Sequence, residues 1–138
     1  MAERIIITSG KIPQAIGPYS PAVRSGDLFF SSGQLGMDPA TGELVPGGTA
    51  AEARQALLHC AYLLEAAGGS MQDVLKTTVF LRDMADFSQM NAVYAEFFPG
   101  SPPARTTIQA AALPKGARVE IECVARLSPR KKATRRRK

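Results

Sequence analysis

Arg105, Glu120 and Glu122 are the residues of this chain whose types and spacing could do chemistry. They sit in Pro103-Ala-Arg-Thr-Thr-Ile-Gln109 and Val119-Glu-Ile-Glu122, joined through Leu113-Pro-Lys-Gly116. From Val119 the residues alternate apolar and polar with the period of a half-buried strand, so Glu120 and Glu122 share one face. Arg105, Thr107 and Gln109 share a face of the preceding segment in the same way. If the two segments pair, a cation and a carboxylate converge on one pocket, suited to a small anion that needs a proton moved. A guanidinium offers planar paired donors that match a carboxylate. Its alternative is a salt bridge to Glu120 or Glu122. The two carboxylates read either as a general acid/base with one raised pKa or as a solvated face.

Other residues carry weaker signals, each with a plainer reading beside it. Tyr19, in Gly17-Pro-Tyr19, is a phenol at a pocket mouth or a packed loop tyrosine. Ser32-Gly33 ends an apolar segment, where a glycine admits a ligand close to the backbone or merely turns the chain. Asn91 lies one position from the apolar stripe of its helix, either bonding inward or facing water. His59 is the lone histidine, too isolated for a metal site or a histidine-dependent ribonuclease mechanism. Cys60 and Cys123 read as small core residues rather than a disulfide. No phosphate-cradling glycine loop or Gly-x-Ser-x-Gly occurs, and no metal is expected.

The elements that must position these residues follow from pattern. Strands are expected over 4–8, 22–24, 27–34 and 74–81, and in the two segments described above. Asp38-Pro-Ala-Thr-Gly42 is a turn between hairpin arms. A first helix opens at Thr49, with Thr49 and Glu52 as a capping box, and stops at Gly68-Gly69. A second carries Met90, Val93, Tyr94 and Phe97 inward, with Asp86 and Gln89 as a weaker cap and Pro99-Gly100 as its end. The order β-β-β-α-β-α-β-β describes an α+β domain with two amphipathic helices on one face of one sheet.

A length of 138 residues suits one domain with a core of useful size. The apolar fraction of 45% and charged fraction of 21% are ordinary for a globular protein. No apolar run is long enough to span a bilayer, and no secretory signal is expected from Met-Ala-Glu-Arg4. The formal charge of +5 belongs to the end of the chain, because residues 128–138 hold seven of the seventeen basic residues. Residues 1–127 therefore form a mildly acidic domain of net charge −2. The segment 128–138 reads as a basic, disordered tail that suits non-specific nucleic-acid contact through Arg130-Lys138, or nuclear targeting.

Ala15-Ile-Gly-Pro-Tyr-Ser20, Ser32-Gly-Gln-Leu-Gly36, Val74-Leu-Lys-Thr-Thr-Val79, Pro103-Ala-Arg105, Leu113-Pro-Lys115 and Val119-Glu-Ile-Glu122 occur in this order. Together they make the chain resemble the reactive-intermediate deaminase (RidA/YjgF) family, also known as perchloric-acid-soluble translation inhibitors or L-PSP endoribonucleases. The resemblance implies a chorismate-mutase-like homotrimer with active sites between subunits. It implies cofactor-free hydrolysis of 2-imino acids such as 2-iminobutanoate and 2-iminopropanoate to 2-oxo acids and ammonia, in the cytoplasm. Carried onto this chain, Arg105 would clamp the substrate carboxylate, and Glu120 would position water and move protons. Tyr19, from a neighbouring subunit, would close the pocket. Ser32 and Gly33 would line it, and Asn91 would support it. Thr107 stands where the family often has cysteine, and its backbone N–H could still bind a carboxylate. Glu122 would then be structural, pairing Arg118 or Arg126. RNA binding or cleavage, translation inhibition, and non-catalytic binding of a small acid are the alternatives.

Overall fold

In a computed structural model that describes residues 3–129, one mixed sheet carries two α-helices on one face. The basic tail therefore lies outside the described residues from position 130 onward. The strands are β1 (Arg4–Ile7), β2 (Ala22–Ser25), β3 (Leu28–Ser31), β4 (Gln34–Leu35), β5 (Val74–Leu81), β6 (Ala104–Gln109) and β7 (Val119–Arg126). The helices are α1 (Gly48–Ala66) and α2 (Phe87–Phe97). No described helix is long and apolar enough to cross a membrane.

The strand order is β1-β2-β3-β7-β5-β6, with the two-residue β4 also paired to β7. Among the described residues only β5 and β6 run parallel, which requires the crossover that α2 supplies. The two segments expected to pair do not. β5 lies between them, because a parallel partner for β5 must return through α2, while β7 runs antiparallel along the other edge of β5. The strand expected over 27–34 is broken into β3 and β4 at Ser32-Gly33. The hairpin round residues 38–42 shrinks to one bridge, Met37 to Leu44.

Alternation decides what each face holds. Val119, Ile121, Cys123 and Ala125 of β7 are buried beneath α1 and α2, together with Phe29, Val79 and Leu81. Each large side chain buried this way contributes about 1.5–3 kcal/mol of hydrophobic stabilisation before entropy is counted. Cys60 and Cys123 are free thiols in this core. The helix-free face carries Ile6, Val23, Phe30 and Val124 in one cross-strand row, and Glu120, Phe80 and Ile108 in another. Ile6, Phe30 and Ile108 stay exposed there.

Neither expected cap forms. α1 begins after Gly47, whose backbone is left-handed, and α2 begins after Asp86 without a side-chain cap. The Thr49 hydroxyl instead donates to Asp86 Oδ2 at 2.7 Å, tying the two helix starts together. Glu52 Oε1 accepts from the Arg118 backbone N–H at 2.8 Å, anchoring α1 to the approach to β7. Each capping group found a tertiary partner, which a local pattern does not register.

Candidate active site

The candidate residues fall into two groups on opposite sides of the sheet. Arg105 is level with Thr77 of β5, whose other neighbour is Cys123, so its side chain leaves the sheet on the helix face. Glu120 pairs with Phe80, so it leaves on the helix-free face. Two strand spacings across the sheet and three residues along it put their backbones about 10 Å apart in each direction, with the sheet between the side chains. Within one chain, no small acid can touch both.

On the helix face, α2 presents Phe87, Asn91 and Tyr94 on one stripe. The Arg105 guanidinium lies 4.7 Å from the Tyr94 ring centre and 5.4 Å from that of Phe87. Its Nη1 sits 4.0 Å from Met90 Sδ. Tyr94 is in turn fixed by a 2.6 Å hydrogen bond to Thr77 Oγ1. Burial pushes the Tyr94 phenol up, while Thr77 and Arg105 pull it the other way. Arg105 makes no ion pair among the described residues, so the expected alternative of a bridge to Glu120 or Glu122 is not what forms. Asn91 Oδ1 and Thr107 Oγ1 are both buried without a hydrogen-bond partner, an unusual pair of orphans. Gln109, the third residue of this face of β6, accepts from the Met84 N–H at 2.7 Å and serves the fold.

On the other side, Glu120, Tyr19, Ser32 and Gly33 line one cavity of about 410 Å³. Within one chain, Tyr19 and Glu120 thus share a cavity wall. β4 pairs only with β7, and the loop through Ile12, Ile16 and Tyr19 closes round its free edge. The Ser32 hydroxyl donates to the Ser20 carbonyl at 2.6 Å, and its N–H donates to Pro21, so the break between β3 and β4 holds that loop in place. Gly33 leaves open the space that the Glu120 carboxyl occupies: a Cβ there would push that carboxyl aside. Burial, with help from Glu122, pushes the Glu120 carboxyl above the usual carboxylate range. Glu122 pairs neither Arg118 nor Arg126, since Arg126 Nε bonds Asp27 Oδ2 at 3.1 Å.

His59 was set aside on sequence, yet its ring forms part of the same cavity wall. It is 1% exposed, and its Nε2 lies 2.9 Å from Gln55 Nε2. Burial pushes its pKa down, against a backbone hydrogen bond to Leu35 that favours the proton. The signal available in sequence was its place beside Cys60 and three residues after Ala56, on the buried side of α1. Lys115, also on the cavity rim, is the one non-glycine among the described residues with a left-handed backbone. No cluster of three metal-ligating side chains occurs among the described residues.

Arg105 beside two orphaned polar atoms on one side, and a half-buried carboxylate on the other, are groups suited to a small acid. Residues 4–127 match the family described as Endoribonuclease L-PSP, and the chain belongs to it. The 2-iminobutanoate/2-iminopropanoate deaminase of Bos taurus is 55% identical over 91% of this chain and 92% of its own. The crystal structure of RidA from the Antarctic bacterium Psychrobacter superposes with a TM-score of 0.85 at 45% identity, over 88% of this chain and 98% of that one. E. coli TdcF with bound serine gives 0.85 at 40% identity, over 89% and 98%.

Proposed function

We propose that this protein hydrolyses reactive 2-imino and enamine acids to 2-oxo acids and ammonia, as a homotrimer whose sites are shared between chains. The carrying observation is that Arg105 and Glu120 sit on opposite faces of one sheet. A second copy reconciles them: Arg105, Asn91 and Thr107 of one chain meet Glu120, Tyr19, Ser32 and Gly33 of its neighbour. The exposed apolar row of Ile6 and Phe30 supplies a surface for such packing. The bovine relative's name and the serine held by the E. coli relative support a small carboxylate as ligand.

The chemistry then follows. The Arg105 guanidinium binds the substrate carboxylate with paired charge-assisted bonds. Asn91 Oδ1 accepts a hydrogen bond from the ligand or its water, and Thr107 Oγ1 adds a second polar contact. Ionised Glu120 takes a proton from water as the oxygen attacks C2 of the imine and passes it to the nitrogen, giving the neutral carbinolamine. Glu120 then takes the hydroxyl proton as the carbinolamine collapses to the 2-oxo acid and hands it to the departing nitrogen, so both water protons leave on ammonia. A carboxyl with a raised pKa suits this two-way transfer. No cofactor is called for, and a cytoplasmic setting belongs to the same reading.

The test is to generate 2-iminobutanoate in place with a threonine dehydratase and follow its loss. The protein accelerates the loss on this account. An unchanged rate with correctly assembled protein overturns it.

A further inference from the structure

β4 is the weakest part of the carboxylate cavity and the part most in need of support. It has two residues, Gln34 paired to Ile121 and Leu35 paired to Glu120 itself. Among the described residues no strand pairs its other edge. At Gly36 the chain comes so close to α1 that a Cβ would strike the Glu52 backbone. His59, buried on α1, shares the cavity wall with Gln34 and Leu35 of β4, and its Nε2 lies 2.9 Å from Gln55 Nε2; the Leu35 backbone is also the group that favours its proton. A ring carrying its proton toward the Leu35 carbonyl leaves Nε2 to accept from the Gln55 amide, which matches neutral imidazole. Both nitrogens are then occupied, so the ring is held rather than poised to react.

Resting on the deaminase reading, we propose that His59 is a positioning residue for Glu120: it pins β4 to α1 and so fixes the wall against which the half-buried Glu120 carboxyl sits. Leu35 is the strand partner of Glu120, and Gly33, one residue before β4, abuts its carboxyl. Freeing β4 lets water reach the cavity floor and the carboxyl swing. The other titratable groups round Glu120 are Glu122 on its own strand and Lys115 and Tyr19 on the cavity wall, and none of them depends on the imidazole.

Three variants test this: His59→Leu, His59→Asn and Gln55→Ala. His59→Leu keeps bulk but no donor, and lowers kcat about tenfold with KM little changed, as expected of a misplaced catalytic group. His59→Asn keeps an N–H for Leu35 and restores most of kcat. Gln55→Ala shows a smaller loss in the same direction and remains informative should His59→Leu not fold. Carboxylate NMR of the protein with 13C-labelled glutamate reads the Glu120 titration without any turnover. It moves down toward the usual carboxylate range in His59→Leu and returns in His59→Asn. A fall in Tm with kcat and the Glu120 titration both unmoved overturns the proposal. Absence of turnover in the unmodified protein counts against the deaminase reading alone, since the titration still decides the role of His59.

Discussion

On the helix side of the sheet a guanidinium is held by aromatic rings; on the other side a half-buried carboxylate sits against Gly33 on a cavity wall. A guanidinium is a permanent cation, so packing against Tyr94 and Phe87 only has to aim that of Arg105. On the proposed reading Glu120 changes charge as it works, so its surroundings must tune as well as aim it: Gly33 leaves it room, and burial raises its pKa. The clamp leaves two polar atoms orphaned for a ligand. The carboxylate side spends its polar groups on itself, Ser32 on Ser20 and His59 on Gln55. On the proposed reading, binding and proton transfer are thus divided between two surfaces that a single chain keeps apart.

The sharpest way to break this division is to remove the proton carrier while leaving its shape. Glu120→Gln lowers kcat about 10²–10⁴-fold, the usual worth of a general acid/base, with KM nearly constant in steady-state assays. The same variant separates function from stability. The folded-state pKa of Glu120 is raised, so the folded state holds its proton more tightly than the unfolded one. That contribution is complete below the unfolded pKa and is lost as pH rises through the folded one, so ionised Glu120 is a burden at neutral pH. Glu120→Gln therefore melts at or above the parent at pH 7, and the difference closes on acidification. A lower Tm at pH 7 contradicts the assignment. Activity of the parent rises with pH through the raised Glu120 pKa, placing its acid limb above the ordinary carboxylate range.

Arg105→Ala lowers kcat/KM about a hundred- to a thousandfold, as loss of a two-pronged charge-assisted contact predicts, and does so mainly through KM. A fall confined to kcat would show that Arg105 acts on the reacting atoms instead. Gly33→Ala drives a methyl into the Glu120 carboxyl and costs about 10- to 100-fold in kcat. Its carboxylate-binding readout, inhibition by a 2-oxo acid, stays close to the parent's. The smallest effect belongs to Tyr94→Phe, which removes the 2.6 Å bond to Thr77 while keeping the ring beneath Arg105. It costs about 1 kcal/mol of stability by denaturant titration and a few-fold in KM.

How far the sequence reaches depends on whether a feature is local. The β5 boundaries, the α2 stripe of Met90, Val93 and Tyr94, and the shared face of Glu120 and Glu122 were all legible, because two-fold and helical periodicity write them directly into the chain. The insertion of β5 between β6 and β7 was not, since neighbours in sequence need not be neighbours in a sheet with a parallel crossover. Thr49, Glu52 and Asp86 matched capping patterns, yet bond to partners far along the chain. Arg105, Thr107 and Asn91 share one face of the site, and Tyr19, Ser32, Gly33 and Glu120 share the other. Their residue types were readable, but which side of the sheet each group takes follows from register alone. His59 escaped notice because its value lies in what it holds.

The division of labour between copies is tested most directly by mixing two dead proteins. Arg105→Ala and Glu120→Gln chains are each assayed alone, then unfolded together in equal amounts, refolded and assayed again. If each site takes Arg105 from one chain and Glu120 from its neighbour, random assembly of a closed ring rebuilds about a quarter of the parent activity. If both residues act within one chain, every site in the mixture carries one lesion, and the refolded mixture stays as inactive as its components.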